Sequence, residues 1–232
     1  MRIGCVTSRV VFMTAKEVDA RLSVPGQFEA QRPELVEAVV AALAVVLDFS
    51  LRHGWSHLTT DPFFYAVEIH ATQESLWRRI LDLNDVPFRP PPTEALTAAL
   101  ECHILMAVVP EEAEKARPEY FRNRQDWICA LAHEISHRLH VRILGGNEHA
   151  MGPEWFYEGF AILASGQRLG SDIEVRSIDE ALELAGSSGR GSYARYAASV
   201  RFLAERIALP ELVSQAGRAD FEAWLKAALR VS

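Results

Sequence analysis

Residues 123–146 read NRQDWICALAHEISHRLHVRILGG, and this stretch decides the fold. Trp127, Ile128, Leu131, Ile135 and Leu139 recur at the three- and four-residue spacing of a helix with one buried face. Asn123 suits an N-cap, because its side-chain oxygen can accept a hydrogen bond from a first-turn amide that has no partner inside the helix. Asp126 places negative charge where the helix dipole favours it. Gly145 and Gly146 then end the run, glycine being the residue best able to take the left-handed turn beyond a helix. The pattern predicts a helix over about 124–144. Within it lies His133-Glu134-Ile135-Ser136-His137. Four residues on a helix advance one turn and only about 40° around the axis, so both imidazoles can reach one cation, with Glu134 beside them. Taken alone, the same five residues also fit an exposed helix face carrying two histidines and a solvated glutamate.

A catalytic metal site uses three protein ligands and leaves one position open, so a third donor should follow. Glu158 comes 21 positions after His137, within PEWFYEGFAIL (153–163). Pro153 suits the first turn of a helix, and on that helix Glu158 shares a face with Trp155, Ala161 and Ile162. A carboxylate on an apolar stripe is costly unless it is paired or bound to a cation, and a metal ion would be that partner. Gly159 weakens a helix on its own account and predicts close packing against the first helix. Glu154 reads as a first-turn residue favoured by the dipole. The alternatives for Glu158 are an ordinary surface position and a different third ligand.

HEISH followed by PEWFYEGFA resembles the gluzincin pattern, H-E-x-x-H then W-x-x-E-G-x-A, of the small bacterial peptidase MA-like family related to thermolysin and the M1 aminopeptidases. The likeness is close over about 130–165 and extends more weakly to 192–207 and to the closing FEAWLKAAL. It implies a zincin-like fold and zinc-dependent hydrolysis of peptide bonds. Zn2+ would be held by His133, His137 and Glu158, and Glu134 would act as general base toward the attacking water. It also implies an edge strand flanking the cleft, for which 103–109 is the candidate. In the aminopeptidase relatives a tyrosine opening a helix stabilises the oxyanion. Tyr193 stands in the matching position of SYARYAASV (192–200). Tyr196 falls where the pattern has a small residue, and its stripe with Val200, Leu203 and Ile207 points to core packing.

His149, 12 positions after His137, is the alternative third ligand, at a separation similar to that of the SprT-like proteases. His140, three positions on along the same helix, cannot readily complete a tetrahedral site and reads as a surface or supporting residue. The third histidine of a metzincin would fall at Ile143. The G-x-M-x-N-type sequence that anchors a free amino terminus in the M1 relatives is absent, which favours an endopeptidase or a very selective enzyme. Two other functions stay open: a catalytically inactive zincin-fold binding or regulatory module, and a metal-dependent hydrolase of a non-peptide amide.

The rest of the chain bounds these readings. Its 232 residues, 49% hydrophobic and 24% charged, suit one folded domain over 1–232, with an α/β portion at 1–110 and a mainly helical portion at 123–232 carrying the metal site. A net charge of -7 argues against a nucleic-acid partner; the resemblance implies a peptide or protein substrate. Three cysteines, Cys5, Cys102 and Cys129, form no C-x-x-C pair and suit a reduced cytoplasmic setting, the latter two as small core residues. No signal-peptide pattern opens the chain, and the longest apolar run, 38–47, is too short to span a membrane. Strands are predicted at 9–14, 63–70 and 103–109. Helices are predicted from Pro33 to Gly54, after Thr72, and at about 153–166, 176–185, 193–207 and 219–229. PFRPPP (87–92) reads as a break and 110–121 as a charged connection. The fold class is α+β, with a small mixed sheet early and helices late.

Overall fold

The computed structural model describes residues 13–91, 96–187 and 192–230. The expected strand at 9–14 falls largely outside these residues, as does Cys5. Within it, Thr14 is instead the N-cap of a short helix, α1 (Ala15–Asp19), closed by a reciprocal pair of hydrogen bonds with Glu17. The chain then forms β1 (Leu22–Ser23), α2 (Arg32–Arg52), β2 (Ala66–His70) and α3 (Gln73–Leu83). As expected, Thr72 caps α3, accepting from the Ser75 amide.

A four-stranded mixed sheet is completed by β3 (Ala98–Glu101) and β4 (Ile104–Val108), in the order β1-β2-β4-β3. β1, β2 and β4 run parallel, and β3 pairs antiparallel with β4, Leu100 opposite Leu105. This corrects the expected edge. The 103–109 segment forms an interior strand, and the edge is β3, whose AALE sequence carries little strand propensity. The hairpin explains how β3 forms. Cys102 and His103 turn the chain with φ of 47° and 61°, a left-handed conformation usually given to Asn or Gly. Cys102 is therefore exposed on the turn rather than packed in the core, whereas Cys129 is buried.

The second half is helical: α4 (Pro110–Ala116), α5 (Arg124–Ile143), α6 (Glu154–Ala164), α7 (Ile178–Ala185), α8 (Ser192–Ala204), α9 (Leu209–Gln215) and α10 (Phe221–Arg230). α4 and α9 were not expected. Both are single short helices opened by a proline, too brief to show periodicity. The architecture is thus a mixed α/β fold with a small mixed sheet early and helices late.

α5 runs through the middle of the core. Leu131, Ala132, Ile135 and Leu139 have no solvent exposure, each large one contributing roughly 1.5–3 kcal/mol by burial. α5 packs on α2, on β3 and β4, and on α6. Both of its ends are fastened. Trp127 Nε1 donates to the Val108 carbonyl at 3.1 Å, and Arg142 donates to the carbonyls of Leu58, Asp61 and Pro62 at 2.6–2.8 Å. Gly145 and Gly146, both at positive φ, carry the chain off the helix. Among the described residues no helix is long and apolar enough to cross a membrane.

Candidate metal centre

The sequence of α5 fixes the first two donors. Asn123 accepts from the Asp126 amide at 3.1 Å, so the helix starts where the sequence predicts and its register is set. With Leu131 and Ile135 pointing into the core, His133 and His137 turn together toward the space between α5 and α6. Their rings lie 4.8 Å apart at 84°, and their Nε2 atoms are 3.1 Å apart.

The third donor comes from α6. Trp155, Ala161 and Ile162 are buried on the face that Glu158 shares, and this packing delivers the carboxylate to the histidines. Glu158 Oε2 lies 3.1 Å from His133 Nε2 and 3.7 Å from His137 Nε2. One ligand atom from each of the three residues lies within 4.8 Å of the others, and among the described residues this is the group of His, Cys, Asp or Glu side chains that could hold a metal ion. His149 is not part of it. It is exposed, in a short turn of helix at Glu148–Ala150, and lines a separate surface depression with Gly152 and Ala216.

The electrostatics fit a cation. Burial alone would push the Glu158 carboxyl up, but hydrogen bonds to His133 and His137 and their charge outweigh it and hold it at about 2. Burial alone would likewise depress His133. The Glu158 hydrogen bond and the Glu134 and Glu158 charges reverse that and raise it. Two imidazoles and a carboxylate, nearly buried and facing one another, are arranged to share a positive charge.

Glu134 borders the same cavity, a cleft of about 360 Å3 also lined by Tyr193, Glu101, Arg117 and Gln167. Its carboxyl is raised above the usual range, first by burial, with the His133 and His137 charges opposing and Glu158 and Glu101 adding. A carboxylate made more basic beside a group that could hold a metal is suited to receiving a proton. Tyr193 stands in the first turn of α8 with its ring 6.4 Å from that of His133. Burial and the neighbouring Glu158 and Glu134 raise its phenol, so it keeps its proton and remains a donor. Tyr196 is buried and donates to the Ser187 carbonyl at 2.9 Å, in keeping with a packing role.

Two expectations are corrected. Gly159 does give close packing, but against α8 rather than α5: a Cβ there would lie 2.5 Å from Val200 Cγ2 and 2.7 Å from the Tyr196 carbonyl oxygen. His140 is not at the surface. It is fully buried, its ring 4.4 Å from that of Phe160, and neither ring nitrogen has a hydrogen bond. Sequence reasoning missed Arg117, Glu101 and Gln167, which belong to no motif and reach the cleft only through the fold. No protein-family model, curated protein or solved structure matches the chain, so the centre stands on the geometry of its own residues.

Proposed function

We propose that the chain is a zinc-dependent peptidase of the gluzincin type, with a zincin-like fold, in which His133, His137 and Glu158 hold the metal. The observation that carries this reading is the spacing of the three donors. A tetrahedral zinc site with bonds of about 2.0–2.1 Å needs donor atoms about 3.3 Å apart, and the distances of 3.1, 3.1 and 3.7 Å bracket that value. Donor type agrees, since two neutral imidazoles and one carboxylate suit zinc and leave a position open.

Bound zinc would supply a Lewis acid that polarises a substrate carbonyl and makes water more acidic. Glu134 takes a proton from the attacking water and returns it to the leaving amine, a role supported by its raised basicity and its place in the cleft. Tyr193, protonated and across the cleft, donates to the developing oxyanion. Ala98, Ala99 and Glu101 of the edge strand border the same cavity, so an extended peptide could pair with β3 as it enters.

The deciding experiment is elemental analysis of protein purified without added metal, with Glu158→Ala alongside. About one zinc per wild-type chain and little in the variant is expected. Glu134→Gln should keep the zinc and lose hydrolysis of a broad peptide library. No zinc in the wild type even after reconstitution, or undiminished hydrolysis by Glu134→Gln, would sink the reading.

A further inference from the structure

Arg117 follows α4 and stands in the wall of the cleft that holds His133, Glu134 and Glu158. Its Nε is buried and has no hydrogen-bond partner, and it forms no ion pair among the described residues. Its guanidinium carbon lies 4.8 Å from the ring of Tyr120, which covers one face of the group. A buried donor without an acceptor costs about 1–3 kcal/mol, and more on a charged group.

Among the described residues, the acidic groups in the cleft do not answer this charge. Glu158 is engaged with His133 and His137. Glu134 feels first those two histidines, then Glu158 and Glu101. Glu101 has Glu148 and Arg138 as its charged neighbours. Much of the remaining wall is apolar, including Trp77, Ile80, Ala98, Ala99, Phe121 and Leu169. A planar guanidinium that lacks an acceptor, set in a largely apolar wall, matches the two oxygens of a carboxylate.

We propose that Arg117 is a specificity residue that receives a carboxylate of the substrate, so the favoured substrates are apolar peptides bearing a free carboxyl terminus or an acidic side chain near the bond cleaved. The turnover part of this inference rests on the peptidase reading of the site; the binding part does not.

The test uses one N-acetylated apolar hexapeptide in four forms: free carboxyl terminus, carboxyl-terminal amide, and the amide with an internal Glu or an internal Gln. Binding is read by calorimetry on Glu134→Gln protein as purified, and kcat/KM on the zinc-loaded wild type. A carboxylate form should bind roughly 10- to 100-fold more tightly than its neutral counterpart, the size expected of a charge-assisted hydrogen-bonded pair. Preference for the free terminus over the amide assigns the carboxyl terminus, and preference for Glu over Gln assigns the side chain. Arg117→Gln, placed in the same Glu134→Gln background, should erase the preference. Arg117→Lys, which keeps the charge but not the fork, should retain part of it and serves if the first variant does not fold. Equal affinity for all four forms, or a preference that survives Arg117→Gln, overturns the inference. Absence of hydrolysis with the binding preference intact would remove the peptidase reading and leave the role of Arg117 standing.

Discussion

Glu158 Oε2 lies 3.1 Å from His133 Nε2, although the two residues are 25 positions apart and sit on different helices. The contact joins α6 to α5 at a nearly buried point, where the side chains are 12% and 10% exposed. Such a pair is satisfied by a proton on His133 Nε2 or by a metal ion between its members.

Metal removal should therefore cost stability as well as activity. A ligand that binds only the folded chain stabilises it by about 4 kcal/mol when present at a thousand times its dissociation constant. We expect the denaturation midpoint to fall on chelation and to recover with zinc, and His137→Ala to abolish the difference. The check is thermal or urea denaturation of both proteins with chelator and with zinc. A wild-type midpoint indifferent to metal would count against the site.

A second expectation concerns Gln167. Its Oε1 and the Nδ1 of His133 are both buried without a hydrogen bond of ordinary length, yet the Gln167 side chain lies close enough to favour the charged form of His133. An acceptor at Nδ1 fixes the tautomer that turns Nε2 toward a metal, and loss of such a partner typically costs 10- to 100-fold in affinity. Gln167→Leu should weaken zinc binding by roughly that factor, whereas Gln167→Glu should keep or tighten it. Competition with a chromophoric chelator measures both. Equal affinity in all three proteins would show that Gln167 does not orient His133.

How much of this was legible depended on whether the signal was local. α5 was readable because its cap, its stripe and its terminating glycines all lie within 24 consecutive residues. Glu158 was readable because an acidic residue on an apolar stripe calls for a cation. The edge strand was not. AALE carries little strand propensity, and it becomes a strand through pairing with β4 across a turn whose residues, Cys102 and His103, give no turn signal. Arg117 was invisible for a related reason. In sequence it closes a charged run, and only the fold of α4 against α5 brings it to the cleft. The partner of Gly159 was misjudged because a glycine announces a close approach but not the element that approaches.

The Gly159 contact gives a third expectation. Alanine would improve intrinsic helix propensity by about 1 kcal/mol. The added methyl would, however, meet Val200 Cγ2 at 2.5 Å and the Tyr196 carbonyl oxygen at 2.7 Å, and a backbone oxygen cannot swing aside. Overpacking of this kind typically costs about 1–3 kcal/mol, so we expect Gly159→Ala to be destabilised on balance. Relief by moving α6 would also displace Glu158, its neighbour in sequence, and lower metal affinity. Urea denaturation of the metal-free protein and zinc titration read the two effects separately. A stabilised variant with unchanged affinity would mean that α6 and α8 are less tightly apposed.

His140 sets a pH dependence of its own. Burial, with a lesser contribution from the His137 charge, lowers its pKa from 6.5 to about 3. Between those values the unfolded chain binds a proton that the folded chain does not, so stability falls as pH drops from about 6.5 toward 3, by up to about 1.4 kcal/mol per pH unit. His140→Leu removes the titrating group and both unpaired ring nitrogens while keeping an apolar side chain between α5 and Phe160. The wild type should therefore lose about 2 kcal/mol relative to this variant between pH 7 and pH 5. Both proteins retain His133 and His137, so comparing them with chelator present cancels most of the contribution of those two histidines. Urea midpoints at the two pH values make the measurement. Parallel pH profiles would show that His140 is not held neutral in the folded chain, and that the ring packed on Phe160 has access to water.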